Sequence, residues 1–184
     1  SLSSLRYSPR PCPTPDPSGP ERAPPASRYG RRDGEGAVVE PTLEQASLLA
    51  ARAHAGQVDR AGRPYVEHVF AVRDLLSAHG TRAQMAGVLH DVLEDTTLTA
   101  DDLRAHGCPE EVVRAVESVT RRPGEHYEDM VRRAAADPLG RLVKLADTAH
   151  NRDEGRLSAL PVEQAARLRA KYARAREILE ESET

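Results

Sequence analysis

The feature that most constrains this chain is an apolar segment, residues 87–96, that carries four side chains able to bind a cation or transfer a proton. His90 and Asp91 are adjacent, and Glu94 and Asp95 follow one helical turn later. On a continuous helix, residues four apart share a face, so His90 is predicted to lie over Glu94 and Asp91 over Asp95. Buried acids are costly unless they are paired or bind a metal, so the segment indicates a divalent-cation site. The alternative is an acidic patch at a solvated helix end.

Length and charge limit the class of protein. The 184 residues suffice for one domain with a hydrophobic core. Residues 41–184 hold 20 basic and 24 acidic side chains, which argues against a nucleic-acid-binding surface. Cys12 and Cys108 suggest neither a disulfide framework nor a cysteine metal site. Because there is no apolar run of about 18 residues and no signal-peptide core at the N-terminus, we expect a cytoplasmic protein without a membrane span.

Residues 1–40 differ in composition from the rest of the chain. They contain eight prolines and few apolar side chains, and such a segment cannot bury enough surface to offset the entropy of ordering. We therefore predict a disordered, partly polyproline-like tail over 1–40 and a folded domain over 41–184. A docking function for the tail is the alternative to a dispensable extension.

Apolar residues at helical spacing occupy the remainder of the chain, and no segment alternates as a strand does. One predicted helix, over residues 81–93, carries the acidic motif. These patterns predict an all-α fold, a roughly orthogonal bundle of seven or eight helices. Helix starts are indicated by N-capping residues or by proline in the first turn, at Thr42, Pro64, Thr99, Pro109, Pro138 and Pro161.

Two further polar residues fall among predicted core positions. His68 lies on the second predicted helix and Asp147 on a long helix that begins at Pro138. A single histidine in such a place is more often a packed core residue, but together with the acidic motif His68 becomes a candidate metal ligand. Lys144 and Asn151 lie three residues before and four after Asp147, and therefore share its face.

The ordered set of His68, the pair His90-Asp91, and Asp147 resembles that of the HD-domain metal-dependent phosphohydrolases. More narrowly, the chain resembles the hydrolase domain of the RelA/SpoT family and its small stand-alone relatives, which remove pyrophosphate from the 3′ position of ppGpp and pppGpp. The resemblance covers about residues 43–180. It is carried by residues 54–57 and 62–68, by residues 89–96, and by residues 144–147 with Asn151.

The resemblance implies a metal centre with four ligands, His68, His90, Asp91 and Asp147, and Mn²⁺ as the ion, with another divalent metal possible. Two imidazoles and two carboxylates suit a borderline divalent ion of flexible geometry. Zinc is less favoured because the set contains no thiolate.

The resemblance also assigns the chemistry around the metal. Glu94 and Asp95 are implied to be the acid/base pair that orients or deprotonates the attacking water. Arg60 is a candidate to stack on the base, and Asn151 is implied to face the nucleoside sugar. Lys144 is a candidate to neutralise phosphate, with a plain helix-surface charge as the alternative reading.

The chain departs from the family pattern at two places that concern substrate recognition. Asp59-Arg60 stands where the family usually has Arg-Lys, and Asp59 would disfavour a highly anionic ligand nearby. Residues 152–154 are Arg-Asp-Glu, where the family usually has Met or Leu followed by Arg and Thr. Neither change touches the implied metal ligands.

The sequence therefore predicts a stand-alone metal-dependent phosphohydrolase acting on a nucleotide phosphate or pyrophosphate ester, with (p)ppGpp the first substrate to try. One alternative is a phosphatase of another small phosphorylated metabolite. A second is an HD-fold ligand-binding or docking module without turnover. The expected partner is a small-molecule nucleotide, with no nucleic acid and no membrane.

Overall fold

The computed structural model describes residues 40–59 and 62–181. Within these ranges the chain is all-helical, with one isolated bridge between Val58 and Pro64, so the predicted fold class is confirmed. Eight of the helices have six residues or more, in agreement with the predicted seven or eight, and two are single turns. The helices are α1 (Leu43–Ala53), α2 (Tyr65–Leu75), α3 (Thr81–Leu89), α4 (Val92–Asp95), α5 (Ala100–Ala105), α6 (Glu110–Val119), α7 (Tyr127–Ala135), α8 (Pro138–Asn151), α9 (Glu154–Leu157) and α10 (Val162–Glu181).

Side-chain caps fix several of the helix starts. Thr42, a predicted helix start, forms a capping box with Gln45, in which each side chain bonds the backbone N–H of the other residue at 3.2 and 2.8 Å. Thr99 forms the same arrangement with Asp102 at the start of α5. Such caps satisfy N–H groups that have no partner within the helix, so these starts can be read from sequence. Helix α8 begins at Pro138 as predicted, with Asp137 as its cap.

Helix α3 lies at the centre of the main core. It packs against α1, α2, α6 and α8, and its residues from Met85 to Leu89 are all buried. Its contact with α2 is close at Gly87, where a Cβ would lie 2.5 Å from Cδ1 of Leu76. A smaller apolar cluster joins α7 to α10 through Val131, Ala175 and neighbouring residues. The central helix therefore carries the motif segment into the interior, between the helices that bear the other candidate ligands.

The predicted continuous helix over residues 81–93 is wrong in one respect, because it is broken at His90 and Asp91. Helix α3 ends at Leu89 and α4 begins at Val92, with Asp91 at φ −102° and ψ −2°. Adjacent residues on a regular helix point about 100° apart. The break lets two consecutive side chains, His90 and Asp91, approach each other on one side of the chain.

Some sequence-based expectations fall outside the described residues, namely the tail up to residue 39, Cys12 and Arg60. Cys108 is a free, buried thiol. In the part of the chain that the structure describes, no helix combines the length and the apolar character needed to cross a membrane.

Candidate metal centre

Three helices bring the predicted ligands together in the interior. His68 of α2, His90 at the end of α3, and Asp147 of α8 are all buried, and each offers a ligand atom within 4.8 Å of the others. Oδ2 of Asp91 lies 2.9 Å from Nε2 of His90 and 3.6 Å from Nε2 of His68. The four residues singled out from the sequence therefore meet at one place, although they come from distant parts of the chain.

The contacts of His90 indicate whether these four side chains could bind a cation. Its Nδ1 lies 2.8 Å from the carbonyl oxygen of Gly87, which can only accept, so Nδ1 carries the proton. In the neutral ring Nε2 then presents a lone pair, and this buried atom has no hydrogen-bond partner. It lies 2.9 Å from Oδ2 of Asp91 and 3.8 Å from Oδ1 of Asp147. A lone pair that faces carboxylate oxygens is repelled unless a proton or a metal ion lies between them, and two imidazoles gathered with two carboxylates form a donor set that fits a divalent metal.

Asp147 is held in its ionised form by neighbours on its own helix. Its Oδ2 accepts a 2.7 Å hydrogen bond from Nζ of Lys144, and its Oδ1 accepts a 2.5 Å bond from Nδ2 of Asn151. Burial alone would raise the pKa of Asp147, but Lys144 and His68 hold it below its usual range. Burial alone would lower the pKa of Lys144, but Asp147, together with Tyr127 and Asp91, raises it.

These contacts exclude one of the two readings of Lys144. Its side chain is 10% exposed and donates to Asp147, so it is not a helix-surface charge, while a contact with phosphate stays a prediction. The spacing in the sequence predicts that Lys144 and Asp147 lie on one face of the helix. It does not indicate whether Lys144 contacts the candidate metal ligand Asp147 or the substrate.

His150 is a residue of the site that the sequence analysis did not single out. Its Nδ1 lies 2.8 Å from Nδ1 of His68, and the two ring centroids are 4.9 Å apart. Burial and the neighbouring His68 lower the pKa of His150 to about 4. Burial opposes a charge on His68, yet the carboxylates of Asp147 and Asp91 outweigh it and raise the pKa of His68 to about 9. Its position three residues after Asp147 is the signal that could have identified His150.

Tyr65 is a second such residue, at the start of α2. Its hydroxyl donates a 2.5 Å hydrogen bond to Oδ2 of Asp91. Burial and the charge of Asp91 raise the pKa of Tyr65, so the phenol stays protonated and remains a donor. Tyr65 therefore helps to fix the orientation of the Asp91 carboxylate, a candidate ligand.

A chain of hydrogen bonds connects the end of α1 to the acidic pair. Nε2 of Gln57 donates to the carbonyl oxygen of Asp95 at 2.8 Å, which turns Oε1 of Gln57 towards Nδ1 of His54, also at 2.8 Å. His54 is buried. The segment 54–57 thus supports the backbone of α4.

Glu94 and Asp95 lie at the exposed edge of the site. Oε2 of Glu94 accepts the backbone N–H of Arg121 at 3.0 Å, which connects α4 to the loop after α6. Partial burial and the carboxylates of Asp91 and Glu94 raise the pKa of Asp95 to about 6. The next turn is capped by Thr96, whose hydroxyl accepts the N–H of Leu98.

Asp59 is not a free charge in this structure. Its Oδ1 accepts the N–H of Arg63 at 2.9 Å, and its Oδ2 lies 3.0 Å from Nη2 of Arg156 on α9. The Asp59 side chain is 9% exposed and that of Arg156 is 21% exposed. The repulsion of anions expected from Asp59 is therefore offset by a guanidinium that the sequence did not pair with it.

Comparison with known proteins identifies the family of this chain. A sequence profile for the HD domain matches residues 46–154. A GTP pyrophosphokinase of Streptomyces coelicolor is 36% identical over 120 residues, covering 59% of this chain and 14% of that protein. A probable GTP pyrophosphokinase of Mycobacterium leprae is 34% identical over 149 residues, covering 75% and 18%. The bifunctional (p)ppGpp synthase/hydrolase SpoT of Escherichia coli is 34% identical over 123 residues, covering 59% and 17%.

A solved structure of a metazoan ortholog of SpoT, which hydrolyses ppGpp, has the same fold. It superposes with a TM-score of 0.65 at 25% identity and covers 77% of this chain and 88% of that one. The chain spans less than a fifth of the length of the three curated relatives. Because the profile match includes His68, His90, Asp91 and Asp147, the candidate ligands fall within the shared region, and the chain belongs to the HD-domain family.

Proposed function

We propose that this chain is a divalent-metal-dependent phosphohydrolase that acts on a nucleotide pyrophosphate ester, with the 3′-pyrophosphate of (p)ppGpp as its first candidate substrate. The observation that carries the proposal is the buried Nε2 atom of His90, which has no hydrogen-bond partner and lies 2.9 Å from Oδ2 of Asp91 and 3.8 Å from Oδ1 of Asp147. The substrate class comes from the names of relatives, which include guanosine-3′,5′-bis(diphosphate) 3′-pyrophosphohydrolases.

The proposed ligand set is His68, His90, Asp91 and Asp147, with Mn²⁺ as the ion. A bound divalent cation would polarise the phosphoryl group and lower the pKa of a coordinated water. The protein prepares the site without the ion, since Lys144 and Asn151 orient Asp147, Tyr65 orients Asp91, and the Gly87 carbonyl orients His90.

Glu94 and Asp95 are the proposed acid/base pair. Both belong to the short helix α4, directly after the candidate ligands His90 and Asp91, and this position at the edge of the site supports the assignment. Without a metal ion, partial burial and the charges of Asp91 and Glu94 raise the pKa of Asp95 to about 6, which brings this carboxylate closer to the range that suits an acid/base catalyst. In this scheme one of the two carboxylates takes the proton of the attacking water.

Substrate contacts are proposed for Asn151 and Arg60. The Asn151 amide lies against Asp147, so a sugar hydroxyl bound there would be close to the metal. Arg60, which lies outside the described residues, remains the proposed stacking cation for the base. Arg156 adds a positive charge near His150 and is partly balanced by Asp59.

A direct assay tests the proposal. Purified protein with Mn²⁺ is incubated with ppGpp, pppGpp, GDP, GTP and guanosine 3′-monophosphate, and released phosphate and pyrophosphate are measured separately. The expected result is pyrophosphate and GDP from ppGpp, with loss of both on chelation. The His90→Ala variant is the metal-site control, and His79→Ala, an exposed histidine on the turn after α2, is the matched control outside the site.

The assay also separates the alternatives. Release of phosphate from other nucleotides, with ppGpp left intact, would mean that the protein is a metal-dependent phosphohydrolase with a different nucleotide as its substrate. Binding of ppGpp with no product from any nucleotide would favour an HD-fold binding module and contradict the proposal.

A further inference from the structure

We propose that His150 is a positioning residue for the metal centre: its Nδ1 accepts a hydrogen bond from Nδ1 of His68 and holds the His68 ring with Nε2 free for the metal. The inference rests on the metal-dependent function proposed above. It assigns a role to a side chain that is not itself among the four candidate ligands.

The argument begins with the two facing nitrogens. The atoms Nδ1 of His68 and Nδ1 of His150 are 2.8 Å apart, and a hydrogen bond between two imidazole nitrogens requires one donor and one acceptor. If His68 were the acceptor, its neutral ring would carry the proton on Nε2. That atom lies 3.4 Å from Oδ1 of Asp147 and 3.6 Å from Oδ2 of Asp91, where the metal must bind. A metal-binding His68 therefore donates from Nδ1, and His150 accepts.

The second imidazole of the centre is arranged in the same way. His90 also has its Nδ1 engaged, by the carbonyl of Gly87, and its Nε2 turned towards the carboxylates. The acceptor for His90 is the backbone carbonyl of Gly87, whereas the acceptor for His68 is the side chain of His150 on another helix. In both cases an outer acceptor fixes the tautomer and the ring orientation, which is a general way to prepare histidine ligands.

The placement of His150 follows from the helix that carries it. Asp147, His150 and Asn151 are spaced i, i+3 and i+4 on α8, and so lie on one face. Helix α8 packs against α2, which bears His68. One face of α8 therefore provides the candidate ligand Asp147 and its hydrogen-bond partner Asn151. The same face carries His150, the partner of the candidate ligand on α2.

Two substitutions of nearly identical shape test the role. Asparagine at 150 places a carboxamide oxygen close to the position of the imidazole Nδ1, whereas leucine has the same branching and no acceptor. Mn²⁺ affinity is measured by electron paramagnetic resonance, which detects the free ion. His150→Leu should weaken Mn²⁺ binding by about 10–100-fold, the usual effect of losing an outer partner. His150→Asn should stay within a few-fold of the wild-type protein.

A second measurement needs only the wild-type protein, in case the leucine variant does not fold. Imidazole ¹⁵N spectra with Cd²⁺ bound should show a proton on Nδ1 of His68 and none on Nδ1 of His150. A proton on Nδ1 of His150 would overturn the inference.

The Mn²⁺ affinities of the wild-type protein and the two His150 variants distinguish several outcomes. Equal affinity in the wild-type protein and both variants would overturn the inference, as would equal weakening in both variants, which would indicate packing alone. Failure of the wild-type protein to bind Mn²⁺ would remove the metal centre, and with it both this inference and the proposed function. The wild-type titration therefore distinguishes the two failures.

Discussion

Nζ of Lys144 lies 2.7 Å from Oδ2 of Asp147, and both side chains are almost completely buried, at 10% and 7% exposure. A buried ion pair of this kind is costly to form and costlier to break, because removing one partner leaves an uncompensated charge. Because Asp147 is also a candidate metal ligand, breaking this ion pair should change both the stability of the protein and the geometry of the metal centre.

Breaking the Lys144–Asp147 pair should destabilise the metal-free protein strongly. We expect Lys144→Met and Asp147→Leu each to cost about 3–5 kcal/mol in the free energy of unfolding, and the double variant to cost less than the sum. Urea denaturation of the metal-free forms measures this. The exposed i,i+4 pair Arg176–Glu180 on α10 is the control, and its removal should change little. Additive losses in the double variant would contradict coupling between the two residues.

Metal should stabilise the wild-type protein and not a ligand variant. At a free Mn²⁺ concentration of 100 times Kd, linkage predicts about 2.7 kcal/mol of added stability. Thermal denaturation with Mn²⁺ and with chelator should therefore differ by several degrees for the wild-type protein and for His79→Ala. The His90→Ala variant should show no difference, and a full Mn²⁺-dependent shift in that variant would exclude His90 as a ligand.

Loss of the acid/base pair should affect catalysis and leave the metal in place. Glu94→Gln and Asp95→Asn should each lower kcat by about 10²–10⁴-fold, with little change in KM, because a positioned acid/base acts on the transition state. Kinetics and bound Mn²⁺ are measured on the same samples.

Two hydrogen bonds affect how the kinetics of the Glu94 and Asp95 variants are interpreted. Glu94 accepts the N–H of Arg121, so a stability scan must accompany its kinetics, whereas the next turn is capped by Thr96 and not by Asp95. Full turnover in both variants would show that the assignment is wrong. Loss of Mn²⁺ in both would mean that Glu94 and Asp95 belong to the ligand set.

The Asp59–Arg156 pair should tune the response to substrate charge. Asp59→Asn leaves Arg156 without its carboxylate partner and should lower KM for ppGpp more than KM for a guanosine nucleotide with fewer phosphates. Arg156→Met should have the opposite effect. Each change should be up to about fivefold, the scale of a partly screened charge interaction. Identical shifts for both substrates would place the pair away from the bound phosphates.

The N-terminal segment should be dispensable. A truncated protein that begins at Glu40 keeps the Glu40–Arg82 ion pair and removes the proline-rich residues. Its melting temperature and turnover should equal those of the full chain. A clear fall in either would show that residues 1–39 contact the domain.

Sequence by itself determined the fold class and most helix starts, whereas the candidate ligands were implied as a set by the resemblance to the HD-domain family. The fold class and the helix starts depend on local rules: apolar residues recur at helical spacing, and Thr42 and Thr99 cap the helices that follow them. Each signal lies within a few residues, so no knowledge of distant contacts was needed to read it.

Tertiary structure decided how the polar groups are paired. The Asp59–Arg156 and His68–His150 contacts join residues 97 and 82 positions apart, which no local pattern specifies. The break at His90 and Asp91 also depends on packing, because a continuous helix would satisfy the local sequence equally well. Lys144 and Asp147 are only three residues apart, yet which partner Lys144 takes depends on burial, since a buried ammonium needs a carboxylate and an exposed one does not.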